Sequence, residues 1–254
     1  MNNNYTLITG ASSGIGKALA EEFAAHGKNL ILVARNKEKL ETVKHNILSV
    51  CNIDIKLFAF DLSDPVAIDK LHSACKSNQL MVECLINNAG IGAEGEFTDI
   101  ALEKQQNIIQ LNIFALVKMC YLFLPDMKSN GNGIVANIAS TTAFVPFAYE
   151  AVYSSSKAFV MSFSQALHEE YKKYGITVAT ICPGVTNTDF FASAGFRLQN
   201  FNGADPKDFA KFAYRAIQNR KVFSIHRFSN KLIALWAKIF PRNFVRIVSA
   251  KMSK

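Results

Sequence analysis

Residues 9–16 read Thr9-Gly10-Ala11-Ser12-Ser13-Gly14-Ile15-Gly16, between a strand-like run over 5–9 and an amphipathic stretch that begins at once. Three glycines let the backbone turn sharply and let a ligand approach it closely. The helix that opens here offers free N–H groups and the positive end of its dipole to a pyrophosphate. Glycine-rich turns also join strands to helices without a ligand, but this one follows the first strand of an alternating chain, where nucleotides bind. Its spacing is G-x-x-x-G-x-G, not the commoner G-x-G-x-x-G.

Outward from this turn, short β-branched or aliphatic runs alternate with longer amphipathic ones. Residues 5–9, 29–34, 54–60, 84–87, 133–138, 176–182 and 222–225 read as seven strands. Several are almost wholly apolar, as parallel strands covered on both faces should be. Helices are predicted over 15–26, 37–50, 65–77, 102–126, 152–174 and 205–219, with Gly27 and Gly175 each ending one just before a strand. This order predicts an α/β fold: a Rossmann-type doubly wound parallel sheet of about seven strands with helices on both faces, plus a C-terminal helical extension. Residues 1–228 are assigned to one catalytic domain and 229–254 to a basic amphipathic extension.

Half of the 254 residues are hydrophobic and six are proline, which excludes a disordered or collagen-like chain. No run of about 18 apolar residues argues for a conventional transmembrane helix, and Met1 to Asn4 lacks a signal-peptide layout. Cys51, Cys75, Cys84, Cys120 and Cys182 are widely spaced and form no CxxC, so buried reduced thiols and a cytoplasmic location are expected. No metal site is assigned. The formal charge of +8 is unevenly spread: residues 211–254 hold 11 Lys and Arg and no acid, leaving 17 basic and 20 acidic groups in the first 210.

Candidate site residues lie at the carboxyl ends of the strands. After strand two stands Arg35, where an NAD-selective site usually has Asp or Glu. A guanidinium matches a 2′-phosphate and an acid would repel one, so NADP(H) is favoured over NAD(H). Asp61 and Leu62 end strand three, where a side chain meets the adenine, and Asn87-Asn88-Ala89-Gly90 end strand four. Tyr153 and Lys157, four apart, share a helix face. An ammonium beside a phenol is expected to lower the phenol's pKa and prepare it for proton transfer to a carbonyl oxygen. Ser140, thirteen residues upstream, is placed to bind the same oxygen, and Asn112 is an odd choice inside a long helix unless it holds a water or a backbone group.

In these residues the chain resembles the short-chain dehydrogenase/reductase family over roughly 5–225. It carries the family's TGxxxGxG at 9–16, its NNAG at 87–90, its helix asparagine at Asn112, its Ser–Tyr–Lys set at Ser140, Tyr153 and Lys157, and its Pro-Gly at Pro183-Gly184. The resemblance is softer to ketoacyl and hydroxysteroid reductases. It implies Tyr153 as general acid/base, Lys157 lowering its pKa and binding the nicotinamide ribose, Ser140 positioning the carbonyl, and Asn112 anchoring a water relay from Lys157. It further implies a cofactor held by Gly10, Ser12, Ser13, Gly14, Ile15, Gly16, Arg35, Asp61, Leu62, Asn88, Ala89, Gly90, Tyr153, Lys157, Pro183, Gly184, Val185 and Thr188. The basic residue that some NADP-using members carry in the glycine turn is absent. A homodimer or homotetramer through the 102–126 and 152–174 helices is implied as well.

Phe144, Phe147, Phe190, Phe191, Phe196 and Phe201 flank the expected cleft and read either as contacts for an apolar ketone or alcohol, or as lid packing. In 230–240 and 242–250 apolar residues alternate with Lys and Arg on either side of Pro241. These helices read as packed on the domain or a subunit interface, or as a peripheral membrane contact. A basic tail without a reading motif points to no specific nucleic acid. Two function classes follow: an NADP(H)-dependent oxidoreductase, or a nucleotide-binding regulatory or scaffolding protein with little turnover.

Overall fold

The computed structural model describes residues 3–195 and 203–252. Its seven strands are β1 (Asn4–Thr9), β2 (Asn29–Ala34), β3 (Ile55–Ala59), β4 (Met81–Asn87), β5 (Gly133–Ile138), β6 (Ile176–Cys182) and β7 (Phe223–Ile225). They form one sheet in the order β3-β2-β1-β4-β5-β6-β7, with every pairing parallel. The winding direction reverses between β1 and β4, which opens a crevice beyond their carboxyl ends.

The helices are α1 (Gly14–Ala25), α2 (Lys37–Leu48), α3 (Pro65–Ser77), α4 (Leu102–Ile109), α5 (Leu116–Ser129), α6 (Ala151–Tyr171), α7 (Asp189–Ala194), α8 (Pro206–Gln218), α9 (Phe228–Ile239) and α10 (Arg242–Met252). Asn36, Asp64 and Asp205 cap α2, α3 and α8 through their side chains, and Pro65 and Pro206 sit in first turns where no N–H is missed.

Both faces of the sheet are covered, which explains why its strands read as continuous apolar runs. Ile8, Leu30, Leu32 and Ile86 pack under α1, α2 and α8 through Leu19, Phe23, Leu40 and Phe209. Their neighbours Leu7, Ile31, Val33 and Leu85 pack under α3, α5 and α6 through Leu71, Met119, Phe123 and Val160. Each such side chain contributes about 1.5–3 kcal/mol on burial.

One predicted helix is two. The 102–126 stretch divides into α4 and α5 around a π-helical turn, Gln110–Ala115, that carries Asn112. The wider turn lets the Asn112 amide bond the Ile91 backbone, accepting from its N–H and donating to its C=O at 2.9 Å each. By length and composition 102–129 would suffice to cross a membrane. Here Leu116, Met119, Cys120, Phe123, Leu124 and Met127 face the sheet instead. Helix α7 was not anticipated from the sequence. All five cysteines are free thiols, four of them buried.

Candidate active site

The glycine turn is built by steric necessity. Gly10 and Gly14 have φ of 67° and 52°, the left-handed region that glycine enters without strain. Gly16 is required by space: a Cβ there would stand 2.1 Å from the Gly10 carbonyl oxygen and 2.6 Å from the Asn88 amide. Thr9 and Asn88 fasten this turn to the end of β4. Thr9 Oγ1 accepts from the N–H groups of Asn88 and Ala89, and Asn88 Nδ2 donates to the Thr9 carbonyl, all at 2.9 Å. Ser13 makes no side-chain cap on α1, so its hydroxyl leaves the helix's first N–H groups to other acceptors.

On the far side of the crevice, α6 presents Tyr153 and Lys157, which are 8% and 6% exposed. A buried polar chain fixes this helix to the sheet: Asn87 donates to Asn137, Asn137 donates to Ser164, and Ser164 donates to Val160 O, at 2.6–2.8 Å. Asn112 adds a donor bond to Ser156 Oγ at 3.0 Å. With both amide protons given to Ile91 and Ser156, its side chain holds structure rather than offering a proton to water.

Ser140 hydrogen-bonds the Tyr153 hydroxyl and lowers its pKa, yet the net direction is upward. Burial raises it most, and the charge of Glu150, one turn earlier, raises it further. Burial and Glu150, neither of which the spacing of Tyr153 and Lys157 reports, set that direction. The Lys157 ammonium is 6.0 Å from the Tyr153 ring centroid and donates to the Ile138 carbonyl at 3.0 Å. Burial brings Lys157 itself down from 10.5 to about 8, against a smaller opposing effect of Cys182. At neutral pH Tyr153 is a phenol, a proton donor.

A cavity of about 1890 Å³ runs from the glycine turn to the tail helices. That exceeds the 300–1,000 Å³ or so of ordinary ligand pockets and leaves room for a dinucleotide and a second molecule. Gly10, Ser12, Ser13, Gly14, Ile15, Gly16, Arg35, Asp61, Leu62, Asn88, Ala89, Gly90, Ser140, Tyr153, Lys157, Pro183, Gly184, Val185 and Thr188 all line it. Asn112 stands behind the wall, its Oδ1 close under Gly90. Thr188 lies across the cleft against Gly14, where a Cβ would meet its side chain at 3.2 Å. Of the phenylalanines, Phe147, Phe190 and Phe191 line the cavity, and Phe190 lies against Tyr153 with ring centroids 5.6 Å apart. Phe144 instead packs on Phe223. Phe196 and Phe201 lie outside the described residues.

Several lining residues were not singled out by sequence. Lys39, in the first turn of α2, joins Arg35 at the adenosine end, where Arg35 also pairs with Asp61 at 3.8 Å. The one-turn spacing from Arg35 was the available signal. Glu94, Glu96, Asp99 and Glu150 line the opposite end. Glu150 Oε2 is buried with no hydrogen-bond partner among the described residues, and burial together with Glu94 raises its carboxyl from 4.5 to about 7. Tyr149, just before it, has a left-handed φ of 65°, strain of the kind that collects at functional sites. Leu232, Ile233 and Trp236 of α9 and Val248 of α10 complete the wall, and Asn230 packs directly over Gly184. Ser229, Asn230, Leu232, Ile233, Trp236, Val248 and Ser249, all beyond residue 228, thus form part of the cavity's lining. Among the described residues no cluster of His, Cys, Asp or Glu could hold a metal ion.

The profile of the short chain dehydrogenase family matches residues 4–197. The chain is 32% identical over 217 residues to the very-long-chain 3-oxoacyl-CoA reductase of Rattus norvegicus, covering 84% of this chain and 68% of that protein. It is 36% identical over 182 residues to the 17-beta-hydroxysteroid dehydrogenase type 3 of Mus musculus, covering 70% and 59%. Among solved structures, a short-chain dehydrogenase from Sphingobium yanoikuyae in complex with NADPH superposes with a TM-score of 0.85 at 29% identity, covering 92% of this chain and 93% of that one.

Proposed function

This chain belongs to the short-chain dehydrogenase family of oxidoreductases, and from that premise we propose that it reduces an uncharged, apolar ketone with NADPH, using Tyr153 as the proton donor. The observation that carries the proposal is the neutral, buried Tyr153, hydrogen-bonded to Ser140 in the same cavity as the glycine turn.

The residues fit a dinucleotide. Gly10, Gly14 and Gly16 leave a cradle that side chains would fill, and the N-terminus of α1 would hold the pyrophosphate. Arg35, with Lys39 beside it, would hold a 2′-phosphate, and no carboxylate stands directly after β2 to repel one. Lys157 would bind the nicotinamide ribose, and Thr188, Pro183 and Val185 the nicotinamide end. The bound nicotinamide supplies the hydride. Ser140 orients the carbonyl oxygen, and Tyr153 gives that oxygen its proton. A raised phenol pKa keeps Tyr153 protonated and disfavours the tyrosinate that alcohol oxidation would need as base, so the protonated form present at neutral pH is the one that reduction uses.

The substrate class rests on the other end of the cavity. Phe147, Phe190, Leu232, Ile233 and Trp236 offer it an apolar lining. Glu94, Glu96, Asp99 and Glu150 in the same cavity oppose a phosphate-bearing group such as CoA. A lipid or steroid ketone fits this lining better than a CoA thioester, although relatives carry both kinds of name. Half-exposed Ile109 and Phe114 and exposed Tyr121, on the stretch from α4 to α5, are the faces through which copies of the chain would pair. The test is NADPH oxidation across cyclic ketones, long-chain ketones and 3-oxoacyl thioesters. Turnover of the neutral ketones is expected; NADPH binding without turnover of any of them would mark a nucleotide-binding protein instead.

A further inference from the structure

We propose that the paired helices α9 and α10 dock on an anionic lipid bilayer, so that the substrate end of the cavity opens toward the membrane. Phe228, Leu232, Leu235 and Ile239 recur along α9 at i, i+4, i+7 and i+11 and are 73%, 50%, 52% and 66% exposed. Helical spacing places all four within an arc of about 60°. Ala234, 8% exposed, marks the side turned to the protein, and exposed Lys231 and Lys238 fall between that side and the apolar stripe. On α10, Phe244 and Ile247 are each 48% exposed, next to exposed Arg242, Arg246 and Lys251. The rings of Trp236, Phe240 and Phe244 cluster in tilted contact at centroid distances of 5.4–6.2 Å and lock the two helices together.

The other side of the pair is anchored. Val245 is buried, and Ser249 Oγ donates to the Pro146 carbonyl at 2.8 Å. The exposed stripe is therefore a fixed feature rather than a loose end. Apolar side chains at the centre with cations at the margin suit the boundary between acyl chains and headgroups.

Charge selects the occupant. Residues 228–252 contain five Lys and Arg and no Asp or Glu. A second copy docked on the same face about a two-fold axis would set these cations against one another. Nucleic acid would neutralise them but leave the apolar stripe in water. An anionic bilayer answers both, each cation near its surface being worth about fivefold in partitioning. Leu232, Ile233, Trp236 and Val248 belong both to this pair and to the cavity, so an apolar ketone would pass from lipid to site without crossing water. That last step rests on the ketone-reductase reading above; the docking does not.

The full chain would be sedimented with vesicles of phosphatidylcholine alone and with 30 mol% phosphatidylglycerol added. Binding to the anionic vesicles at least tenfold tighter, and weakened by salt, is expected. Lys231→Gln with Lys238→Gln, and separately Leu235→Gln with Ile239→Gln, should each weaken it about tenfold or more. Both double variants should keep parental turnover of a water-soluble ketone and lose several-fold on a long-chain ketone carried in anionic vesicles. Failure of the parent to bind anionic vesicles, parental binding by both variants, or variants that only convert a dimer to a monomer would overturn the docking. No turnover of either ketone, with vesicle binding intact, would sink the reductase reading alone.

Discussion

The two ends of the cavity are built by opposite means. The nucleotide end is made largely of backbone: Gly10, Gly14 and Gly16 in one eight-residue turn, bonded by Thr9 to the Asn88-Ala89 segment. The substrate end is made of side chains from segments far apart in sequence, among them Glu94, Phe147, Glu150, Phe190, Trp236 and Val248. Backbone tolerates no replacement where a Cβ has no room. A wall of separate side chains can be recut one residue at a time. Substitutions at the two ends should therefore fail differently.

Gly16→Ala tests the rigid end and should have the largest effect. With backbone 2.1 Å from the new Cβ, α1 must shift, and NADPH affinity should fall about 100-fold or the fold should be lost. Retained NADPH affinity by fluorescence titration would break the contrast. Arg35→Ser should lower the NADPH over NADH preference in kcat/KM by about 10- to 100-fold while leaving ketone KM alone. An unchanged ratio would move the 2′-phosphate contact to Lys39.

Glu150 carries the pH dependence of the substrate end. Its carboxyl is raised to about 7, so the folded state holds this proton more tightly than the unfolded chain. That contribution to stability is full in acid, declines as pH rises from about 4.5 and is gone above about 7. Glu150→Gln removes the decline, so relative to the parent it should be more stable at pH 8 than at pH 5 by on the order of 1–2 kcal/mol. Parallel denaturation curves at both pH values would contradict this. The smallest effect is expected from Trp236→Ala: a several-fold change in KM for bulky ketones with NADPH affinity unmoved. A loss of NADPH binding there would show that the two ends are not separable.

The same contrast explains what was legible in the sequence. A nucleotide site dictated by backbone leaves its glycines in a row, so the turn, Arg35, Asn88 and Gly90 were all readable. Tyr153, Lys157 and Ser140 were readable from spacing, but the direction of the Tyr153 pKa was not. It depends on burial and on Glu150, which no local pattern reports. Asn112 stood out as a misfit in a helix, while the π-helical turn that accommodates it became visible only through its bonds to Ile91. The tail read as an appendage because its amphipathic pattern says nothing about which body it lies on. Asn230 over Gly184 and Trp236 in the cavity wall supply that.

The most direct test of Tyr153-dependent ketone reduction uses NADPH carrying deuterium at both C4 positions of the nicotinamide, an apolar cyclic ketone, and mass spectrometry of the alcohol. The parent should place deuterium on the carbinol carbon. Tyr153→Phe should bind NADPH as the parent does while forming labelled alcohol about 10²- to 10⁴-fold more slowly. Unlabelled product from the parent, or labelled alcohol formed by Tyr153→Phe at the parental rate, would contradict it.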